Sequence, residues 1–131
     1  MKSPGKVIIS GEHSVVYHYP ALVMAVNLYT QARCTVFKPE TIKSFVNFSI
    51  EQEITGEIIC CHQWPASEKT GTLKEQRLID YIMNDLSISS DVCGKIKVQI
   101  SSEIPIGSGL GSSAAYSVAL STALFLGLMI L

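Results

Sequence analysis

One domain, or part of one, built from both strands and helices is what this sequence predicts, on three observations. The alternating segment Lys95-Ile96-Lys97-Val98-Gln99-Ile100 reads as a half-buried strand. A glycine-rich stretch, Pro105-Ile106-Gly107-Ser108-Gly109-Leu110-Gly111-Ser112-Ser113-Ala114-Ala115, follows it and leads into a long apolar run that reads as a helix. Upstream, Thr72-Leu73-Lys74-Glu75 has the form of a capping box, and Leu78, Ile79, Ile82, Met83 and Leu86 fall on one face of the helix it would start.

Size and charge narrow the classes. The 131 residues leave room for one domain or part of one, 47% hydrophobic content is ample for a core, and 16% charged residues is low for a freely soluble surface. With 10 basic against 11 acidic residues the formal charge is −1, which gives no electrostatic reason for nucleic acid or an anionic membrane as partner. A partner has to be sought in a site. Cys34, Cys60, Cys61 and Cys93 show no C-x-x-C and no histidine spacing suited to zinc, and no signal peptide is expected in front of them. Reduced thiols in a cytoplasmic chain are expected.

In chain order, Pro4-Gly5-Lys6 reads as a turn leading into the apolar strand 7–9, after which come Gly11-Glu12-His13 and then Ser14-Val15-Val16-Tyr17. Taken singly, Lys6 is an ordinary strand flank and Glu12-His13 an ordinary polar turn. Segments 21–26 and 32–37 are apolar and β-rich, and the more polar Asn27-Leu28-Tyr29-Thr30-Gln31 between them predicts two neighbouring strands, the second ended by Pro39. Strands are also expected at 45–50 and 57–61, then the capped helix near 72–86. The last segment, 114–131, has no charged side chain and approaches the roughly 20 residues of a membrane span. Its Ala and Ser content, the lack of flanking Lys or Arg after it and the glycine loop before it favour a buried helix over a span.

The glycine loop carries the chemistry. Glycines at 107, 109 and 111 remove every second Cβ, so the backbone can adopt positive φ and bring its N–H groups close to an anion. Ser112 and Ser113 stand where the helix begins, able to cap its free N–H groups or to turn a hydroxyl toward a phosphate or its metal. The loop is not a Walker loop, because Ser112 follows Gly111 with no lysine. Nor is it a dinucleotide fingerprint, because Gly111 comes two places after Gly109 and not three. Alone, it would read as a serine-capped turn.

It is not alone. Pro4-Gly5-Lys6-Val7-Ile8-Ile9-Ser10-Gly11-Glu12-His13-Ser14-Val15-Val16 resembles the first motif, and Pro105 to Val118 the second motif, of the GHMP small-molecule kinases. Within that family the Ser14-Val15-Val16 and Ala115-Tyr116-Ser117-Val118 segments resemble the mevalonate-phosphorylating branch more than the galactokinases. The resemblance implies an α+β fold, a mixed sheet with helices on one face and a left-handed β-α-β crossover. It implies transfer of a phosphoryl group from ATP to mevalonate with Mg2+, in isoprenoid and sterol biosynthesis, and a homodimer for the full-length form. Nucleotide-binding positions that match the family are Lys6, Ser102, Gly107, Ser108, Gly109, Leu110, Gly111, Ser112 and Ser113. Ser113 matches the magnesium-binding serine, Lys6 the catalytic lysine between γ-phosphate and acceptor hydroxyl, and Glu12 and His13 residues lining the mevalonate site.

Departures are equally part of the expectation. In the family the second metal carboxylate, the aspartate beside the accepting hydroxyl, a third glycine motif and the C-terminal domain lie beyond the position of Leu131, and several strand residues usually precede Ser3. Ile106 stands where many relatives have a second proline. Residues 1–131 are therefore expected to be an incomplete nucleotide-binding N-terminal domain, inactive alone. The competing readings are a non-catalytic binding module, a membrane-anchored product, and a GHMP kinase of the phosphomevalonate or galactose type.

Overall fold

A computed structural model describes residues 1–38, 45–65, 73–86 and 93–131. The elements are β1 (Lys2–Ser10), a short 3-10 helix (Ser14–Tyr17), β2 (Leu22–Phe37), β3 (Val46–Gln52), β4 (Ile58–Trp64), α1 (Lys74–Asp85), β5 (Gly94–Ser102) and α2 (Ser112–Ile130). The fold is α+β, with a mixed five-stranded sheet in the order β1-β2-β5-β3-β4. Two compact units are distinguishable, Met1–Gln31 with Ser102–Ala119, and Ala32–Ser101 with Leu120–Leu131.

In the first unit β1 runs antiparallel to the start of β2, from Lys2↔Gln31 to Ser10↔Leu22. Two expectations are corrected here. The polar stretch after Val26 is not a break between strands, since β2 is continuous over 16 residues. Pro4 pairs with Tyr29 but Gly5 with Val26, so Asn27 and Leu28 are taken up as a bulge. The stretch holds no Gly or Pro, and Tyr29 and Thr30 favour extended backbone. Likewise Pro4-Gly5 is no entry turn but lies inside β1, an edge strand, where proline's missing N–H needs no partner. Gly5 is buried at this irregularity, and a Cβ there would stand 2.8 Å from Val26 Cγ2 and 2.9 Å from the Leu110 carbonyl oxygen.

The second unit holds a strand core of period two. Val46, Phe48 and Ile50 of β3, Cys60 and His62 of β4, and Ile96, Val98 and Ile100 of β5 are buried, while Asn47, Ser49 and Glu51 between them are only partly covered. β3 pairs antiparallel with β4 and parallel with β5. Against β4 lies α1, whose Asp80 accepts a 2.8 Å hydrogen bond from His62 Nε2. The buried stripe of α1 is Glu75, Ile79 and Met83, with Leu78 and Ile82 half-buried and Leu86 at the C-cap. Its N-cap is Leu73, one place later than expected, which makes Gln76 the N3 residue. The Gln76 side-chain oxygen accepts the Leu73 N–H at 3.4 Å, so the reciprocal contact comes from Gln76 and not Glu75. The other half of the expected box, Thr72, and the expected strand terminator Pro39 lie outside the described residues.

Helix α2 is long and apolar enough, by length and composition, to cross a membrane. In the second unit it buries Leu120, Ala123, Leu124 and Leu128, and Gly127 lets it close on the sheet, since a Cβ there would meet Cys34 Sγ at 2.6 Å. Phe125, Leu126, Met129 and Ile130 are exposed, so the helix is covered along one face only. All four cysteines are free, and burial, reinforced by the charge of Glu75, pushes the Cys60 thiol up to about 11.

On the other face of this sheet Lys97 Nζ lies 2.7 Å from Glu51 Oε2. The Lys97 hydrogen bond, with smaller help from Ser49, holds the Glu51 carboxyl below its ordinary value. A depressed folded pKa means stability that is present above the unfolded value of about 4.3 and is lost as pH falls through the folded value. Urea denaturation should therefore find Glu51→Gln less stable than the parent at pH 7, with the difference vanishing once the pH is below the folded pKa.

Candidate functional site

The glycine loop, residues 103–111, joins the end of β5 to the start of α2 and is held at both feet by the β1–β2 ribbon. At the first foot the Tyr29 N–H donates to Glu103 Oε2 at 3.0 Å and the Glu103 N–H returns to the Tyr29 carbonyl at 2.9 Å. One residue along, Thr30 Oγ1 and Ser102 Oγ are 2.8 Å apart, and Ser102 Oγ accepts the Ile104 N–H at 3.2 Å. At the second foot the Lys6 N–H donates to the Leu110 carbonyl at 2.8 Å. Within the loop Ser108 Oγ donates to the Pro105 carbonyl at 2.7 Å and accepts the Leu110 N–H at 3.4 Å.

The alternating glycines behave as their spacing implies. Gly107, Gly109 and Gly111 have φ of 76°, 74° and 72°, the left-handed region. Nothing lies within 4 Å of where a Cβ would stand at Gly107 or Gly109, so conformation and not space demands glycine there. At Gly111 both do: its Cβ would be 2.8 Å from Lys6 Cγ and 3.4 Å from Lys6 Cε. The lysine stem therefore lies along Gly111, the residue that precedes α2. The N–H groups of Gly107, Ser108, Gly109 and Gly111 donate to no protein acceptor among the described residues. Those of Ser112 and Ser113 belong to the first helical turn, where no intrahelical acceptor exists.

Other expected site residues fall as follows. Ser112 and Ser113 are inside α2, so neither is the N-cap residue as the sequence suggested. That place falls to Gly111, whose carbonyl accepts the Ala115 N–H at 3.0 Å. Ser113 is exposed and its hydroxyl is bonded to nothing among the described residues. Ser102 is exposed, with its oxygen already engaged. Glu12 and His13 sit in the turn after β1, where Gly11 at φ 89° packs on Ala21 and its carbonyl accepts the Ser14 hydroxyl at 3.3 Å and the Val15 N–H at 3.0 Å. Both side chains are exposed, and neither touches the loop by a hydrogen bond or ion pair. Lys6 is joined to the loop, Glu12 and His13 are not. Tyr29 and Thr30, read from the sequence as a polar spacer, hold the loop's first foot. The signal was present only as polar residues within an otherwise β-forming stretch.

Free amides, left-handed glycines and a helix head suit a polyphosphate. Comparison with known proteins finds relatives among kinases. Residues 75–128 match the model of the GHMP kinases N terminal domain. Over 121 residues the chain is 33% identical to the mevalonate kinase of Pyrococcus furiosus, covering 89% of this chain and 35% of the relative. It is 32% identical to that of Schizosaccharomyces pombe, over 96% of this chain and 37% of the relative. Residues 75–128 are thus similar to the N-terminal domain of GHMP kinases, and most of the chain to mevalonate kinases. The crystal structure of Methanococcus jannaschii mevalonate kinase superposes with a TM-score of 0.67 at 26% identity, over 95% of this chain and 38% of that one. The chain spans a little over a third of the length of the relatives it matches.

Two loop substitutions separate conformation from contact. Gly109→Ala forces a left-handed Cβ into open space and should lower stability by about 1–2 kcal/mol. Gly111→Ala adds a clash with the Lys6 stem and should cost more, with a detectable loss at the Lys6–Leu110 hydrogen bond. Urea midpoints, together with amide exchange at Lys6, check both.

Proposed function

We propose that this chain carries the ATP-phosphate-binding portion of a magnesium-dependent kinase that phosphorylates mevalonate to 5-phosphomevalonate, in the cytoplasm. The observation that carries the reading is the loop itself: three left-handed glycines, unengaged amides and a lysine stem laid against the last glycine, in a chain similar to mevalonate kinases over most of its length. Four free thiols support a reducing compartment.

The described residues fit a magnesium ion brought by the nucleotide. Among the described residues no group of three or more His, Cys, Asp or Glu side chains could hold a metal, whereas the unengaged Ser113 hydroxyl could complete the shell of an ion already held by phosphate oxygens. When bound, that ion neutralises charge on the phosphate oxygens. The loop amides do the rest of the binding, because they are fixed in place before the anion arrives and need not reorganise. Lys6, anchored through its own backbone, sets a positive charge at the loop's exit, where negative charge shifts during phosphoryl transfer. Glu12 and His13 offer a carboxylate and an imidazole to the acceptor at the end of the same strand. With those groups alone, the chain by itself binds nucleotide but does not turn over.

Three outcomes test this. Calorimetric titration should show magnesium-ATP binding to this chain, abolished by Gly109→Val, and a flat titration of the folded parent would overturn the reading. In a mevalonate-phosphorylating protein that contains this chain, Lys6→Met should lower kcat by ~10²–10³-fold, the scale for one preorganised electrostatic group. A kcat within threefold of the parent would remove Lys6 from the chemistry. Ser113→Ala should raise the magnesium concentration needed for half-maximal activity, whereas Ser112→Ala should leave it unchanged.

A further inference from the structure

We propose that Thr30 is a positioning residue for the nucleotide, acting by turning Ser102 into an outward hydrogen-bond donor. The inference rests on the nucleotide-binding reading above and names a residue that neither motif contains. Thr30 is wholly buried, and the partner of its hydroxyl is Ser102 Oγ at 2.8 Å. A buried hydroxyl without a partner is costly, so this contact is made in the folded state and is not an accident of an exposed surface.

Hydroxyl chemistry then limits what Ser102 can do. A serine hydroxyl has one proton to give and two lone pairs to receive with. One lone pair is taken by the Ile104 N–H at 3.2 Å. If Thr30 donates, the second is taken as well, and the Ser102 proton is left for an acceptor on the exposed side, which suits an anion. If Thr30 instead accepted, the proton would be spent inside the protein and Ser102 would face solvent with nothing to give. A nucleotide oxygen beside Ser102 selects the first arrangement. Among the described residues the Thr30 hydroxyl has no other partner, so it can supply this proton at no loss elsewhere. The paired contacts between Tyr29 and Glu103 fix the adjoining backbone, so the two hydroxyls are held in register.

The test is a double-mutant cycle on the full chain, read by calorimetric Kd for magnesium-ATP at a temperature where thermal melts show every variant folded. Thr30→Val, which keeps the shape and removes the hydroxyl, should weaken binding about tenfold, the loss of one hydrogen bond to a charged acceptor. Thr30→Ser, which restores the hydroxyl, should return Kd to within about twofold. In a Ser102→Ala background Thr30→Val should have no further effect on Kd, because its influence passes through Ser102. A purely structural Thr30 would lower the melting temperature and leave Kd unchanged, and that result overturns the proposal while the nucleotide reading stands. Equal weakening by Thr30→Val with and without Ser102 also overturns it. Absence of binding by the folded parent overturns the nucleotide reading and this inference together.

Discussion

A glycine-rich loop is the least ordered kind of chain, and a cradle for phosphate works only if that freedom has been removed before the anion arrives. The hydrogen bond from the Lys6 N–H to the Leu110 carbonyl, 2.8 Å long, is what removes it at the helix side. It uses main-chain atoms of two segments that are far apart in sequence and makes β1 the wall on which the loop's exit is hung. At the strand side Tyr29 and Thr30 of β2 do the same for Glu103 and Ser102. The loop between these feet carries three left-handed residues, and its unengaged amides are tied to a backbone fixed at both ends. The bulge at Asn27 and Leu28 has a place in this, since it separates the register of Lys6 from that of Tyr29 and lets one ribbon serve both feet.

The parts of the fold legible in the sequence were those whose signal is local. Alternation over 95–100 predicted β5, the strands expected at 45–50 and 57–61 overlap β3 and β4, which run on to Gln52 and Trp64, and the uncharged run predicted α2. The conformation of the glycines followed from their lack of a Cβ. What could not be read was decided by partners distant in the chain. Asn27 to Gln31 is polar enough to look like a connection, and only pairing with β1 shows that it is a bulge in a continuous strand. Pro4-Gly5 carries a turn signature and lies in a strand because that strand is an edge. The capping residue of α1 moved by one place, which exchanged Glu75 for Gln76 and left a carboxylate in the buried stripe. Site residues show the same division. Lys6 and the glycines are motif residues, whereas Thr30 has no local feature that marks it, because its role depends on a serine on another strand.

Helix α2 joins two demands that pull in different directions. Its first turn has to present unengaged amides to solvent, so Ser112 and Ser113 stay polar and Ala114 stays small. Its later turns have to pack, and Leu120, Ala123, Leu124 and Leu128 make one face that the second unit covers, with Gly127 allowing contact with Cys34 and Ile96. The opposite face, with Phe125, Leu126, Met129 and Ile130, is as apolar as the buried one. That is why composition alone resembles a membrane span: hydropathy records both faces, and burial distinguishes them.

Lys6 shows how the two sequence motifs act as one physical object. Its backbone holds the loop and its side chain lies on the loop's last glycine, so position and charge are delivered by the same residue through separate atoms. Any residue but proline at position 6 could make the main-chain bond, but only a long flexible side chain can lie along Gly111 as the lysine stem does. Gly111 in turn is required twice, once for its φ of 72° and once because a Cβ would occupy the path of the lysine stem. A change at either residue therefore acts on the other. The first motif sets where the loop stands and which charge accompanies it, and the second sets whether that charge can lie close enough to matter.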